Sequence, residues 1–190
     1  MIGDGLLVAW ERLGVLASIG PDSRRAQRFG AFGDGSIICF PPQALFGEPA
    51  ITIGRDTAIG PQCALTVGMV PGQELFGERM LELGDRCVIG RGSSIAAHLH
   101  ISIGDDVYFG PNVYVTDQNH ANDDPDLPVG RQSHPESEVI IGERSWLATG
   151  VVVTPGVTIG SGVSVGANSV VTTDLPDGCV AVGAPARVVA

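Results

Sequence analysis

The sequence predicts an all-β fold, a parallel β-solenoid of six-residue repeats with a short α-helical cap at its N-terminus. Three observations predict it. An aliphatic or aromatic residue recurs on a six-residue register, with glycine directly after it in Ile53-Gly54, Ile59-Gly60, Leu83-Gly84, Ile89-Gly90, Ile103-Gly104, Phe109-Gly110, Ile141-Gly142, Ile159-Gly160 and Val165-Gly166. Four positions after these anchors the side chain is small, as at Thr57, Cys63, Cys87, Ser93, Val107, Val113, Ser145, Val163 and Ser169. Glycine, at 27 of 190 residues, is roughly twice as frequent as usual, while aromatics make up only 5%.

A period of six is neither helical nor a plain strand alternation, but a short strand followed by a tight turn fits it. Glycine is then expected at turn positions that other residues reach only with strain. Leu65, Ile95, Val115, Leu147, Val153 and Val171 continue the register, and the anchors group in threes, such as 53, 59 and 65 or 83, 89 and 95. Three hexads make one triangular coil, and stacked coils fill their interior with ladders of equivalent residues. Phe32 and Ile38 suggest one earlier, less regular coil. Cys63 and Cys87 fall on the small inward ladder, which makes them core fillers.

The elements follow in order. Residues 1–30 form the helical cap: Leu6, Leu7, Trp10, Leu13 and Ala17 lie at helical spacing, so an amphipathic helix is expected over 4–18, with a second short one over 22–28. Both would cover the open solenoid edge, which otherwise invites pairing with other chains. Arg24, Arg25 and Arg28 read as a solvated helix face. The solenoid occupies 31–175, and 176–190 form a tail. Three interruptions break the hexads: about twelve extra residues between Leu65 and Leu83, two between Ile95 and Ile103, and about twenty between Val115 and Ile141. Insertions in a solenoid project as loops. The longest, 121–137, is acidic and proline-stiffened, and loops on a rigid scaffold are where sites are usually found.

Composition excludes several classes. A formal charge of −10, with arginine supplying every cation apart from histidine, disfavours nucleic acid and anionic membranes as partners. The apolar stretch Leu6 to Ala17 is broken by Glu11 and Arg12 and is neither a membrane span nor a signal peptide. Four cysteines without a CxxC pair read as free thiols, and the expected location is cytoplasmic.

With its many registered hexads, the sequence from about residue 30 to 190 resembles the hexapeptide-repeat acyltransferases, which include galactoside, maltose and serine acetyltransferases. The resemblance implies a left-handed parallel β-helix, a hand that composition does not supply. It also implies acetyl-CoA as co-substrate, no metal or prosthetic group, and a homotrimer with active sites between subunits. His120 ends the segment Val115-Thr-Asp-Gln-Asn-His120 where the chain leaves the solenoid, the place of the family's catalytic histidine. Its implied role is general base, since a neutral imidazole with an ordinary pKa of about 6.5 is basic enough near pH 7 to take a proton from the attacking acceptor. Asp117 and Asn119 stand close enough in sequence to orient the ring or touch the acceptor, and strand alternation lets only some of them face it. No Ser-His-Asp order or reactive cysteine accompanies the histidine, so direct transfer in a ternary complex is the simpler reading.

For the donor, the family's Trp-Ile-Gly-Ser stretch corresponds to Trp146-Leu147-Ala148-Thr149, with Trp146 near the acceptor and Thr149 on the pantetheine. Its Gly-Ala-x-Ser-x-Val-Thr stretch becomes Gly166-Ala167-Asn168-Ser169-Val170-Val171-Thr172, placing Ala167 and Thr172 along the CoA arm. Its Gly-x-Pro-x-Arg motif becomes Gly183-Ala184-Pro185-Ala186-Arg187, with Arg187 at a CoA phosphate. The chain departs at Thr173, where many relatives carry lysine, so one phosphate-facing charge is absent. His98, in the two-residue interruption, stands where sugar acetyltransferases often have an acidic acceptor-binding residue. His100 and His134 lack comparable context and are left out of the site.

The resulting expectation is transfer of an acetyl group from acetyl-CoA to a hydroxyl of a sugar or other small acceptor. An amine acceptor and a solenoid scaffold without chemistry are the alternatives. A γ-class carbonic anhydrase, which shares the fold, needs zinc histidines spaced as His-x4-His, and no such pair exists.

Overall fold

All fifteen anchors of the register point inward and are at most 3% exposed in the computed structural model, which describes residues 2–190. The small positions between them are equally buried. Three walls result. The first stacks the strands Ala31–Phe32, Ile51–Ile53, Leu81–Leu83, Ile101–Ile103, Val139–Ile141 and Thr158–Ile159. The second stacks Ile37–Ile38, Ala58–Ile59, Val88–Ile89, Tyr108–Phe109, Trp146–Leu147, Ser164–Val165 and Val180–Val182, and closes with the antiparallel strand Arg187–Val188. The third stacks Ala44–Phe46, Ala64–Val67, Ser94–Ala97, Tyr114–Thr116, Val152–Val153 and Val170–Val171. Pairing is parallel and in register, anchor on anchor: Ile53 with Leu83, Ile59 with Ile89, Leu65 with Ile95. The earlier coil suggested by Phe32 and Ile38 is present, and Ala44–Phe46 completes it.

Hydroxyls on the small inward ladder stitch successive coils together. Thr57 Oγ1 donates to the Gly84 carbonyl at 2.8 Å and accepts the Cys87 N–H at 3.0 Å. Ser145 does the same between Gly160 and Val163. These bonds let polar atoms sit in a dry core without an unsatisfied group. All four cysteines are free. Burial pushes the Cys63 and Cys87 thiols up, as suits core fillers.

The glycines after the anchors serve a different purpose from the one expected. None of the nine has a positive φ. At Gly110 a Cβ would stand 2.7 Å from the backbone nitrogen of Thr149 in the next coil, so the requirement is close approach between coils. The left-handed position lies two residues later and is held by Asp56, Gln62, Arg86, Asp106, Asn112, Arg144 and Asn168 as well as by glycine, with φ between 55° and 61° at those seven.

On the corner joining the first and second walls these turns carry an ion-pair ladder. Arg55 meets Asp85 at 3.2 Å, and Arg86 meets Asp106 at 2.7 Å and Asp105 at 3.3 Å. Hydrogen bonds from the Arg55 backbone and guanidinium hold the Asp85 carboxyl below the ordinary value of 3.8, and the Arg86 guanidinium does the same to Asp106. A carboxyl depressed in the folded state contributes stability above its unfolded pKa and loses it as pH falls through the folded value. Arg86→Ala should therefore lower the Tm at pH 7 but not at pH 2. An equal deficit at both pH values would contradict this account.

At the N-terminus the helix Ile2–Ala17 forms as expected, and only a 3-10 turn, Ala26–Arg28, appears in the second helical segment. What closes the first coil is the segment after the helix. Ile19 exchanges two 2.9 Å backbone hydrogen bonds with Ile38, and Ile19, Ala26 and Phe29 are buried. Leu6, Leu7, Trp10 and Leu13 remain exposed, as do Val8, Val15 and Leu16, so apolar side chains surround the helix. Its aromatic contact with the solenoid is Trp10 against Phe40, at 6.3 Å between ring centroids. Among the described residues no helix is long and apolar enough to cross a membrane.

Candidate functional site

All three interruptions leave from one corner, where the third wall turns into the first: residues 68–80, 98–100 and 117–138 on successive coils. Thr154-Pro155 and then Thr172-Thr173 occupy the same corner on the next two coils. His120 therefore stands midway along one edge of the prism, with loops toward the N-terminal end and bare turns toward the C-terminal end.

The longest interruption is an ordered hairpin. Its limbs pair through Asn119 N–H to Pro135 O at 3.1 Å, Ala121 N–H to Ser133 O at 2.9 Å and Ser137 N–H to Asp117 O at 2.8 Å. Gln132, buried at the tip, donates through Nε2 to the carbonyls of Asp124 and Leu127 and accepts the Asp124 N–H on Oε1. Asp123, Asp124 and Asp126 stay in solvent. A lone glutamine in a polar loop carries no periodic signal to single it out in the sequence.

Asp117 takes a different role from the expected contact with acceptor or ring. Its carboxylate is fully buried and accepts the backbone N–H groups of His98, Leu99 and His100 at 2.8–3.0 Å, holding the neighbouring coil's bulge in shape. Strand alternation turns it away from solvent just before the exposed Asn119 and His120. Asn119 is likewise committed: its Oδ1 accepts the N–H of His120 itself at 2.9 Å. His134, whose sequence context places it outside the site, packs edge-on against the His120 ring with centroids 4.4 Å apart. His100 lies apart from this pair, between Glu82 at 3.1 Å and Glu138 at 3.4 Å. His98 is partly exposed on the bulge.

Two clefts collect some of the remaining candidates. One, of about 250 Å³, is lined by Tyr114, Thr116, Gln118, Asn119, His120 and residues 152–155 on the third wall. The other, of about 390 Å³, lies on the second wall and its next corner and brings together Tyr108, Trp146, Thr149 and Ala167. The clefts share no residue. Arg187 is exposed on the last strand of the second wall, two strands beyond Ser164–Val165. Thr172 and Thr173 are exposed on the His120 edge. The candidates for the donor thus divide between two corners of the chain.

Known proteins resemble this chain. Residues 138–173 match the bacterial transferase hexapeptide family (six repeats), and residues 81–117 the hexapeptide repeat of succinyl-transferase. A provisionally named acetyltransferase of Mycobacterium tuberculosis is 42% identical over 59% of this chain and 37% of its own length. The provisionally named lipopolysaccharide biosynthesis O-acetyl transferase WbbJ of Escherichia coli is 34% identical over 61% of this chain and 63% of its own. The chain therefore spans less than two thirds of these two relatives. The provisionally named colanic acid biosynthesis acetyltransferase WcaF of Escherichia coli is 30% identical over 81% of this chain and 80% of its own. Among solved structures, a variant of AntD, an N-acyltransferase from Bacillus cereus in complex with dTDP-4-amino-4,6-dideoxyglucose and coenzyme A, superposes with a TM-score of 0.76 at 20% identity, covering 90% of this chain and 89% of that one. At that identity the likeness speaks for the fold, which is a left-handed parallel β-helix.

Proposed function

Because the chain belongs to the hexapeptide-repeat acyltransferase family, we propose that it moves an acetyl group from acetyl-CoA to a hydroxyl of a sugar or other small acceptor, with His120 as general base. The observation that carries this reading is the position of His120. It is exposed in a cleft, at the point where the corner changes from loops able to surround an acceptor to bare turns able to take an extended donor. The neutral imidazole takes the acceptor proton as the oxygen attacks the thioester carbonyl. The new C–O bond forms, the C–S bond breaks, and the departing thiolate takes the proton back from the imidazolium. No covalent acyl-enzyme is needed.

For the donor, Trp146, Thr149 and Ala167 supply a groove, Thr172 and Thr173 supply hydroxyls, and Arg187 supplies the charge for a phosphate. On a chain with a formal charge of −10, that arginine matters, and Thr173 adds none. Arg187→Ala should raise the Kd for acetyl-CoA about 10-fold while kcat stays near its original value. An unchanged Kd by calorimetry would remove Arg187 from the site.

His120 and the Trp146 groove occupy different faces of one chain, and a homotrimer would set the base of one protomer beside the groove of the next. Co-expressing His120→Ala and Trp146→Ala chains should then restore activity that neither variant has alone, because mixed trimers contain an intact junction. A mixture as inactive as its components would contradict a shared site.

A hydroxyl is favoured over an amine because WbbJ, named an O-acetyl transferase, is the sequence relative at 34% identity, whereas the N-acyltransferase likeness rests on fold. Thiol release from acetyl-CoA, measured across methyl glycosides, amino sugars and amino acids, tests this. Release stimulated by amines alone would overturn the hydroxyl assignment.

A further inference from the structure

We infer that His134 is the positioning residue of His120, doing with an aromatic ring what a carboxylate commonly does for a histidine base; this rests on His120 being that base. A base histidine needs its ring held so that one nitrogen faces the proton to be taken. The two nearby groups that sequence offers for that task are engaged elsewhere, Asp117 with the backbone of residues 98–100 and Asn119 with the His120 backbone N–H. Among the described residues no side chain hydrogen-bonds the His120 ring. What does touch it is His134, at 4.4 Å and 65° between the ring planes.

The hairpin fixes this contact. Backbone bonds on either side of the pair, Asn119 to Pro135 and Ala121 to Ser133, lock the two limbs in one register, so both rings project from the same ribbon. The ribbon is itself tied to the next coil by Gly156 N–H to Ser137 O at 3.0 Å. An edge-on aromatic neighbour restricts rotation of the His120 ring without a hydrogen bond to it among the described residues.

Phenylalanine keeps the aromatic packing surface but has no nitrogen, which sets the test. With acetyl-CoA and a methyl glycoside as substrates, His134→Ala should lower kcat about 2- to 10-fold with little change in the KM for acetyl-CoA. His134→Phe should recover most of the loss. The double variant His120→Ala/His134→Ala should be no slower than His120→Ala, because a residue acting through the base has nothing left to act on. A readout needing no acceptor is the NMR signal of the His120 ring protons, which should move in His134→Ala and stay close to wild type in His134→Phe. Unchanged His120 signals and kcat in folded His134→Ala would overturn the inference, as would His134→Phe as slow as His134→Ala. Full activity in His120→Ala would instead overturn the base assignment beneath it, so the two failures are distinguishable.

Discussion

With His120 as the proposed general base, His120→Ala should lower turnover by about two to four orders of magnitude and leave the Kd for acetyl-CoA nearly unchanged. The side chain is exposed in its cleft and makes no hydrogen bond among the described residues, so its loss costs little stability. The Trp146, Thr149 and Ala167 groove shares no residue with the His120 cleft, so a truncation at His120 leaves donor binding intact. Steady-state kinetics with calorimetry on the same preparation separates the two quantities. Equal losses in donor binding and turnover would mean that His120 holds the donor.

Asp117→Ala is expected to be the most damaging change outside the proposed base. Its carboxylate, fully removed from solvent, is the shared acceptor for the N–H groups of residues 98, 99 and 100. Removing it strands three donors in a tight turn, at a cost on the order of 3 kcal/mol, since each orphaned group keeps its own desolvation penalty. For a chain of this size that lowers the Tm by roughly 6–12 °C. The bulge carrying His98 loosens, and the hairpin base shifts with it, because the Asp117 carbonyl accepts the N–H of Ser137. Asp117→Asn keeps one acceptor oxygen and should lose about half as much. Hydrogen exchange at 98–100 checks the mechanism. Slow exchange there in Asp117→Ala, together with an unchanged Tm, would show that the carboxylate does not hold the bulge.

The solenoid was legible because its side chains repeat. Ile53, Leu83 and Ile103 occupy equivalent places on one wall, so a single register predicts pairing, burial and the position of every corner. The inward cysteines and the shared corner of the loops follow from the same period. What escaped has no period. The spacing after Gly110 marks a repeat but does not reveal that the crowding comes from Thr149 of another coil rather than from its own φ. Asp117 and Asn119 sit near His120 in sequence, and which of them faces it depends on backbone N–H groups from a different coil. His134 reaches His120 through a hairpin register set by Gln132 and a few backbone bonds, and register in a polar loop is only weakly specified by pattern. The N-terminal helix illustrates a further limit. Apolar residues at helical spacing predicted the helix, whereas burial of Ile19, Ala26 and Phe29 against the first coil decided which segment closes the solenoid.

The most direct test of an acetyl-CoA-dependent enzyme is calorimetric titration of the folded protein with acetyl-CoA. The account predicts saturable binding, one site per chain, weakened by Arg187→Ala and untouched by His120→Ala. A well-folded protein that binds no acetyl-CoA would contradict it and leave a solenoid scaffold without the chemistry of its family.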